Sequence, residues 1–171
     1  GLDLVPVMVD TIASDLQNLD AEHAQQYQAN AANFKKEVQE LLAYGQQQFK
    51  DKKTRKFVSF HESLTYFARC FDLEVAAVIQ STPGKEPAAK EMEQLVANCL
   101  EHKINVIAVE PQYSAQLTAK RIVEELRRKG MTDVTIVELD PMETANEKDL
   151  SPDWYLNKMR QNIDTLARAM K

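Results

Sequence analysis

The sequence predicts an α/β fold: a four-stranded parallel, doubly wound sheet with helices on both faces, preceded by a long backbone helix. Three observations carry this. Short, nearly continuous apolar runs rich in β-branched and aromatic residues recur at 57–60, 75–79, 105–109 and 134–139, the pattern of strands buried on both faces. Helical patterns fill the intervals at 63–72, 87–103 and 115–129, and another closes the chain at 152–170. Ahead of the first strand, an apolar stripe continues at helical spacing for longer than one small domain requires.

Taken in order, residues 4–19 place Leu4, Val5, Met8, Ile12 and Leu16 on one helical face, with Pro6 tolerable in the first turn. Asp20 is a candidate N-cap for a helix over 20–52, striped by Tyr27, Ala31, Phe34, Val38, Leu41, Leu42 and Phe49. At 1.5 Å per residue that helix would be ~48 Å long, against ~30 Å for a helix that already crosses a small domain. Two readings fit: a solvated helix overhanging one domain, or a strut whose front half packs on something beyond this sequence. The strut is preferred, because amphipathic helices draw most of their stability from tertiary packing. The domain division expected is therefore a helical segment over 1–52 and an α/β lobe over 53–171. The abrupt opening Gly1-Leu2-Asp3-Leu4 reads as the cut end of a longer protein.

Punctuation supports the alternation that follows. Pro87 suits a first helical turn, Ser114 an N-cap, Gly130 the position just past a helix, and Ser151-Pro152 a cap followed by proline. Pro83-Gly84-Lys85 reads as a turn, and residues 142–150 as the one long polar loop.

Composition narrows the function classes. A net charge of −5 leaves no basic surplus to neutralise phosphates, which argues against nucleic acid as a partner. No apolar run approaches a membrane span. Cys70 and Cys99 form no CxxC pair, and both lie among apolar residues at helical spacing, so packing is their expected role. If strand order reverses after the second strand, their helices cover opposite faces and no disulfide joins them.

Chemistry is expected where open parallel sheets bind ligands, beyond the carboxyl ends of the strands. That rim collects His61, Thr82, Glu110 and Asp140, with Pro111 and Pro141 ending pairing behind the two carboxylates. One imidazole and a carboxylate suit zinc, manganese or iron better than calcium or magnesium, which prefer all-oxygen shells. His61 and Asp140 are the candidate ligands, and they make only half a site, since zinc takes four donors or three plus water. The bland readings are a half-buried strand-end histidine, turn chemistry for Asp140, and, for Glu110, hydrogen bonds to the backbone N–H groups that open the next helix. His23 and His102 read as solvated surface. No nucleophile elbow, HExxH or glycine-rich phosphate loop occurs, so an enzyme would have to be a metal-assisted hydrolase or chelatase-like protein using His61, Glu110 and Asp140.

An ordered set of short motifs spans nearly the whole chain: Phe57-Val58-Ser59-Phe60-His61, Tyr66-Phe67, Phe71-Asp72-Leu73, Glu86-Pro87, Val109-Glu110-Pro111-Gln112, Leu139-Asp140-Pro141, and Tyr155, Met159 and Asn162 near the end. With Asp20, Tyr27 and Asn30 upstream, the set resembles the zinc/manganese solute-binding proteins of bacterial metal ABC transporters, a group that includes adhesion lipoproteins. The resemblance implies a two-lobed, non-enzymatic receptor, monomeric at full length, with metal held between lobes that one rigid helix joins. By that pattern this chain is the carboxyl-terminal lobe plus the interlobe helix. His61 is then the third protein ligand and Asp140 the fourth; Glu110, from its place on the rim and not from the resemblance, is the candidate for a supporting position behind them. The first two ligands are histidines from an amino-terminal lobe and from just ahead of Leu2. Manganese-selective relatives often carry Glu at the place of His61, so zinc is favoured over manganese and iron, bound weakly by this chain alone. The resemblance further implies a periplasmic or extracytoplasmic location, a lipid anchor in some members, and a membrane permease as partner.

Overall fold

In a computed structural model, which describes residues 1–80, 86–111 and 116–171, the predicted alternation of strands and helices is present throughout. Thr82, the 83–85 turn, Gln112 and Ser114 lie outside the described residues. Helix α1 (Val5–Leu19) and helix α2 (Ala24–Phe49) precede the sheet. Strands β1 (Lys56–Ser59), β2 (Glu74–Val78), β3 (Val106–Val109) and β4 (Thr135–Glu138) alternate with α3 (Thr65–Cys70), α4 (Ala89–His102) and α5 (Gln116–Arg128). Helix α6 (Trp154–Ala169) closes the chain.

All strand pairs are parallel, in the order β2-β1-β3-β4. The first connection steps one way across the sheet and the next two step the other. Because parallel crossovers are right-handed, α3 falls on one face and α4 with α5 on the other. Two cores result, and the strands feed them alternately. Phe57, Val106 and Ala108 face α2, α3 and α6, whereas Val58, Ile107 and Val109 face α4 and α5. Cys70 packs against the first core and Cys99 sits in the second, both as free thiols, and burial pushes the Cys99 thiol up to about 11.

The long helix is shorter than its sequence pattern suggests. Residues Ala21–His23 form a tight 3-10 turn, so α2 has 26 residues and a length of ~39 Å. The Asp20 side chain does not cap it. Its carboxylate instead accepts from Tyr27 Oη at 2.8 Å and pairs with His23 Nδ1 at 2.9 Å, which holds it below the usual carboxylate range. The front half of the α2 stripe is covered within the chain: α1 folds back along it, and Val9, Ile12 and Leu16 line a groove with Tyr27, Ala31 and Phe34. The rear half, through Val38, Leu41 and Phe49, is fully embedded in the first core. Elsewhere along α1, Val7, Met8 and Leu19 are exposed.

Helix ends follow local chemistry, with two departures from expectation. Pro87 lies ahead of α4, whose first turn is closed by Glu91 accepting from the Ala88 N–H at 2.7 Å. Ser151-Pro152 likewise makes a lead-in turn rather than a cap, with Trp154 N–H donating to Ser151 O at 3.0 Å. Gly130 does end α5 as predicted: at φ 97° it closes a Schellman motif, with Met131 N–H on Leu126 O and Gly130 N–H on Arg127 O. Arg55 ties the helical part to the sheet, its guanidinium donating to the carbonyls of Phe49, Phe71 and Asp72 at 2.8–2.9 Å.

Gly45, mid-helix in α2, has no room for a side chain. A Cβ there would lie 2.3 Å from the Phe71 ring, in the aromatic cluster that Phe71 forms with Phe49 and Phe67. Glycine to alanine inside a helix ordinarily stabilises by up to ~1 kcal/mol. Here overpacking wins, and Gly45→Ala is expected to destabilise by ~1–3 kcal/mol, read as a lower urea midpoint at unchanged slope.

Candidate metal centre

The carboxyl rim is assembled by strand order. His61 follows β1, an interior strand with β2 on one side and β3 on the other, and it leaves the sheet in extended conformation, φ −120° and ψ 177°. Glu110 follows β3 directly, so the two side chains meet: His61 Nδ1 lies 2.9 Å from Glu110 Oε2. From the other flank Gln80, next after Ile79, places its Oε1 2.9 Å from His61 Nε2. Phe60 sets its ring edge-on to the imidazole, with centroids 4.8 Å apart.

Glu110 is 2% exposed. A carboxylate that deep needs partners, and its second oxygen accepts from Ser63 Oγ at 2.7 Å. Its oxygens therefore serve His61 and Ser63; residues 112–115, which lead into α5 and whose N–H groups the sequence offers it, lie outside the described residues. Burial pulls the His61 pKa down, but the bonds to Glu110 and Gln80, with the Glu110 charge, outweigh it and leave the imidazole above its ordinary value.

Asp140 stands beyond β4, on the far side of β3 from His61. Its backbone is clamped by Asn162 of α6, which is 3% exposed: Asp140 N–H donates to Asn162 Oδ1 at 2.9 Å, and Asn162 Nδ2 donates back to Asp140 O at 2.7 Å. The side chain accepts from Met142 N–H through Oδ1 at 2.8 Å, helped by a left-handed Met142 at φ 62°. Its other oxygen, Oδ2, lies 3.2 Å from Lys158 Nζ.

The structure thus brings His61 and Glu110 into contact and puts Asp140 on the same rim, bonded to neither. Among the described residues no three His, Cys, Asp or Glu side chains are grouped to hold a metal. One imidazole and one carboxylate remain, which is the donor chemistry of half a zinc or manganese shell. His23 and His102 are exposed and away from the rim. Gln80, Ser63 and Lys158 did not figure in the sequence reading. Gln80 has a sequence signal in its place right after the β2 run; Ser63 and Lys158 show their roles only once packed.

A family profile described as "ZnuA: Zinc-uptake complex component A periplasmic" matches residues 2–169. The chain belongs to this family. Among curated relatives, it is 29% identical over 160 residues to the "High-affinity zinc uptake system protein ZnuA" of Brucella abortus (strain 2308), covering 94% of this chain and 45% of that protein. It is 25% identical over 165 residues to the "Manganese-binding lipoprotein MntA" of Bacillus subtilis (strain 168), covering 95% of this chain and 53% of that one. Among solved structures, a ZnuA crystal structure superposes with a TM-score of 0.81 at 29% identity, over 100% of this chain and 58% of the other. The chain therefore spans about half the length of these family members.

Asn162 ties the rim to α6, and its loss is measurable without any ligand. Asn162→Ala leaves the Asp140 N–H and C=O without their partners, and should lower the unfolding free energy by ~1–3 kcal/mol for each group left buried and unsatisfied. Chemical denaturation of the variant beside the parent checks this.

Proposed function

We propose that this chain is the metal-holding carboxyl-terminal lobe, with its backbone helix, of a receptor that delivers a divalent transition metal to an ABC importer. The observation that carries the reading is the His61–Glu110 contact. A histidine that ligates metal through one ring nitrogen characteristically gives its other N–H to a carboxylate, and His61 Nδ1 has that partner buried behind it. Binding would proceed by Gln80 leaving Nε2, the Nε2 proton departing, and the metal taking that position with Asp140 supplying carboxylate oxygen. Zinc is the favoured cargo, with manganese and iron as alternatives.

The division into a helical part over 1–52 and a lobe over 53–171 belongs to this proposal, as do the first two ligands from an amino-terminal lobe. The half-length match to relatives and the apolar side chains left exposed along α1 support it. A location outside the cytoplasm, a monomeric full-length protein and a permease partner are further parts of the proposal, by analogy with the family. No bond is made or broken in this function. The hydrolase reading needs three ligands grouped on one metal, and among the described residues no such group is found.

Calorimetric titration of the chain with zinc tests the ligand assignment. Weak binding is expected, with both His61→Ala and Asp140→Ala reducing it to the buffer baseline; two variants that bind like the parent would refute the site. Glu110→Gln is expected to weaken zinc binding by about 10–100-fold with the fold intact, as loss of a carboxylate behind a ligating histidine does. Circular dichroism of the variant separates that outcome from unfolding.

A further inference from the structure

Lys158 is the one cation in contact with a candidate ligand among the described residues. It projects from α6 one turn before Asn162, and its ammonium meets Asp140 Oδ2 at 3.2 Å, while Oδ1 is held by Met142 N–H. The Asp140 side chain is only 16% exposed, and that of Lys158 is 35% exposed. A mostly buried carboxylate needs a counter-charge whenever metal is absent, and the ammonium supplies it. Lysine is well suited to give way again, because a compact point charge on a flexible stem, with no planar fork to fix its geometry, can swing into solvent when displaced.

We propose that Lys158 is a tethered cation that takes the place of the incoming divalent transition metal on Asp140, so that metal binding is an exchange of one cation for another. This rests on Asp140 being a ligand. The exchange has two consequences. A dication must work against the positive charge it displaces; with the ammonium moved about 6 Å off in water-like surroundings, Coulomb's law gives a penalty of about tenfold in affinity. A monovalent ion brings no more charge than the ammonium and competes with a group held at high effective concentration by its own chain, so the exchange favours divalent cargo.

The test uses zinc chloride as the titrant, calorimetry at low salt, and the 171-residue chain with Lys158→Met, Lys158→Arg, and each lysine variant combined with Asp140→Asn. Lys158→Met is expected to bind zinc about tenfold more tightly, by an amount that shrinks as salt is raised. Lys158→Arg should bring no gain and, with its planar fork, bind zinc no more tightly than the parent, and Lys158→Met should bring no gain in the Asp140→Asn background. An unchanged or weakened Lys158→Met, an equal gain in Lys158→Arg, or a gain that survives Asp140→Asn would overturn the proposal. Metal-free unfolding gives a second readout through the double-mutant cycle of Lys158→Met and Asp140→Asn, where measurable coupling is expected and zero coupling would overturn the pairing. If zinc binding ignores both His61→Ala and Asp140→Ala, the receptor reading fails on its own, whatever the metal-free cycle shows for Lys158 and Asp140.

Discussion

The buried carboxylate of Glu110 is the constraint on which the rim depends. A carboxylate sealed in the interior is tolerable only with its oxygens engaged, and breaking such a set leaves a costly orphan charge. Glu110 answers this by holding His61 with one oxygen and Ser63 with the other. The requirement runs backwards through the fold. His61 and Glu110 can meet only if β1 and β3 are neighbours, and that adjacency follows from the reversal of strand order after β2. The same reversal sends α3 to one face and α4 with α5 to the other, which creates the two separate cores.

Most of this fold was legible in the sequence, for identifiable reasons. The four strands announce themselves as short runs rich in apolar residues. Only β1 and β3, at the centre of the sheet, are buried on both faces, and the edge strands β2 and β4 are half-buried. The helices between them carry stripes at the right spacing, and Gly130 occurs where a left-handed residue is needed. The misreadings cluster where local cues have two meanings. Asp20 looks like a helix cap, yet its carboxylate is claimed by Tyr27 seven residues on, an interaction that exists only once the helix has formed. Pro87 and Ser151-Pro152 mark helix starts correctly but fall two or three residues ahead of them. The surplus stripe on α2 called for a partner, and part of that partner is α1, which the sequence presents merely as an adjacent amphipathic helix.

The site was legible by kind and not by wiring. A histidine and two carboxylates at strand ends can be read from the apolar runs that precede them. That Glu110 meets His61 depends on register between strands whose residues stand 49 apart in the chain. Lys158 and Asn162 are harder still to read. Both lie on a helix whose pattern declares only that Met159, Ile163 and Leu166 face the core, and nothing in that pattern says which polar neighbours will meet the end of β4.

Asp140 is fastened to α6 through its backbone, while the polar loop that follows contributes only the Met142 N–H. Position and surroundings are therefore under separate control. The loop lies at the mouth of the rim, where any surface the protein presents to another molecule would be shaped, and its residues from 143 onward hold none of the bonds that place the carboxylate. Descendants of this chain can lengthen, shorten or recharge that loop without moving the Asp140 carboxylate. The carboxylate can thus stay fixed in a lineage while the surface beside it drifts.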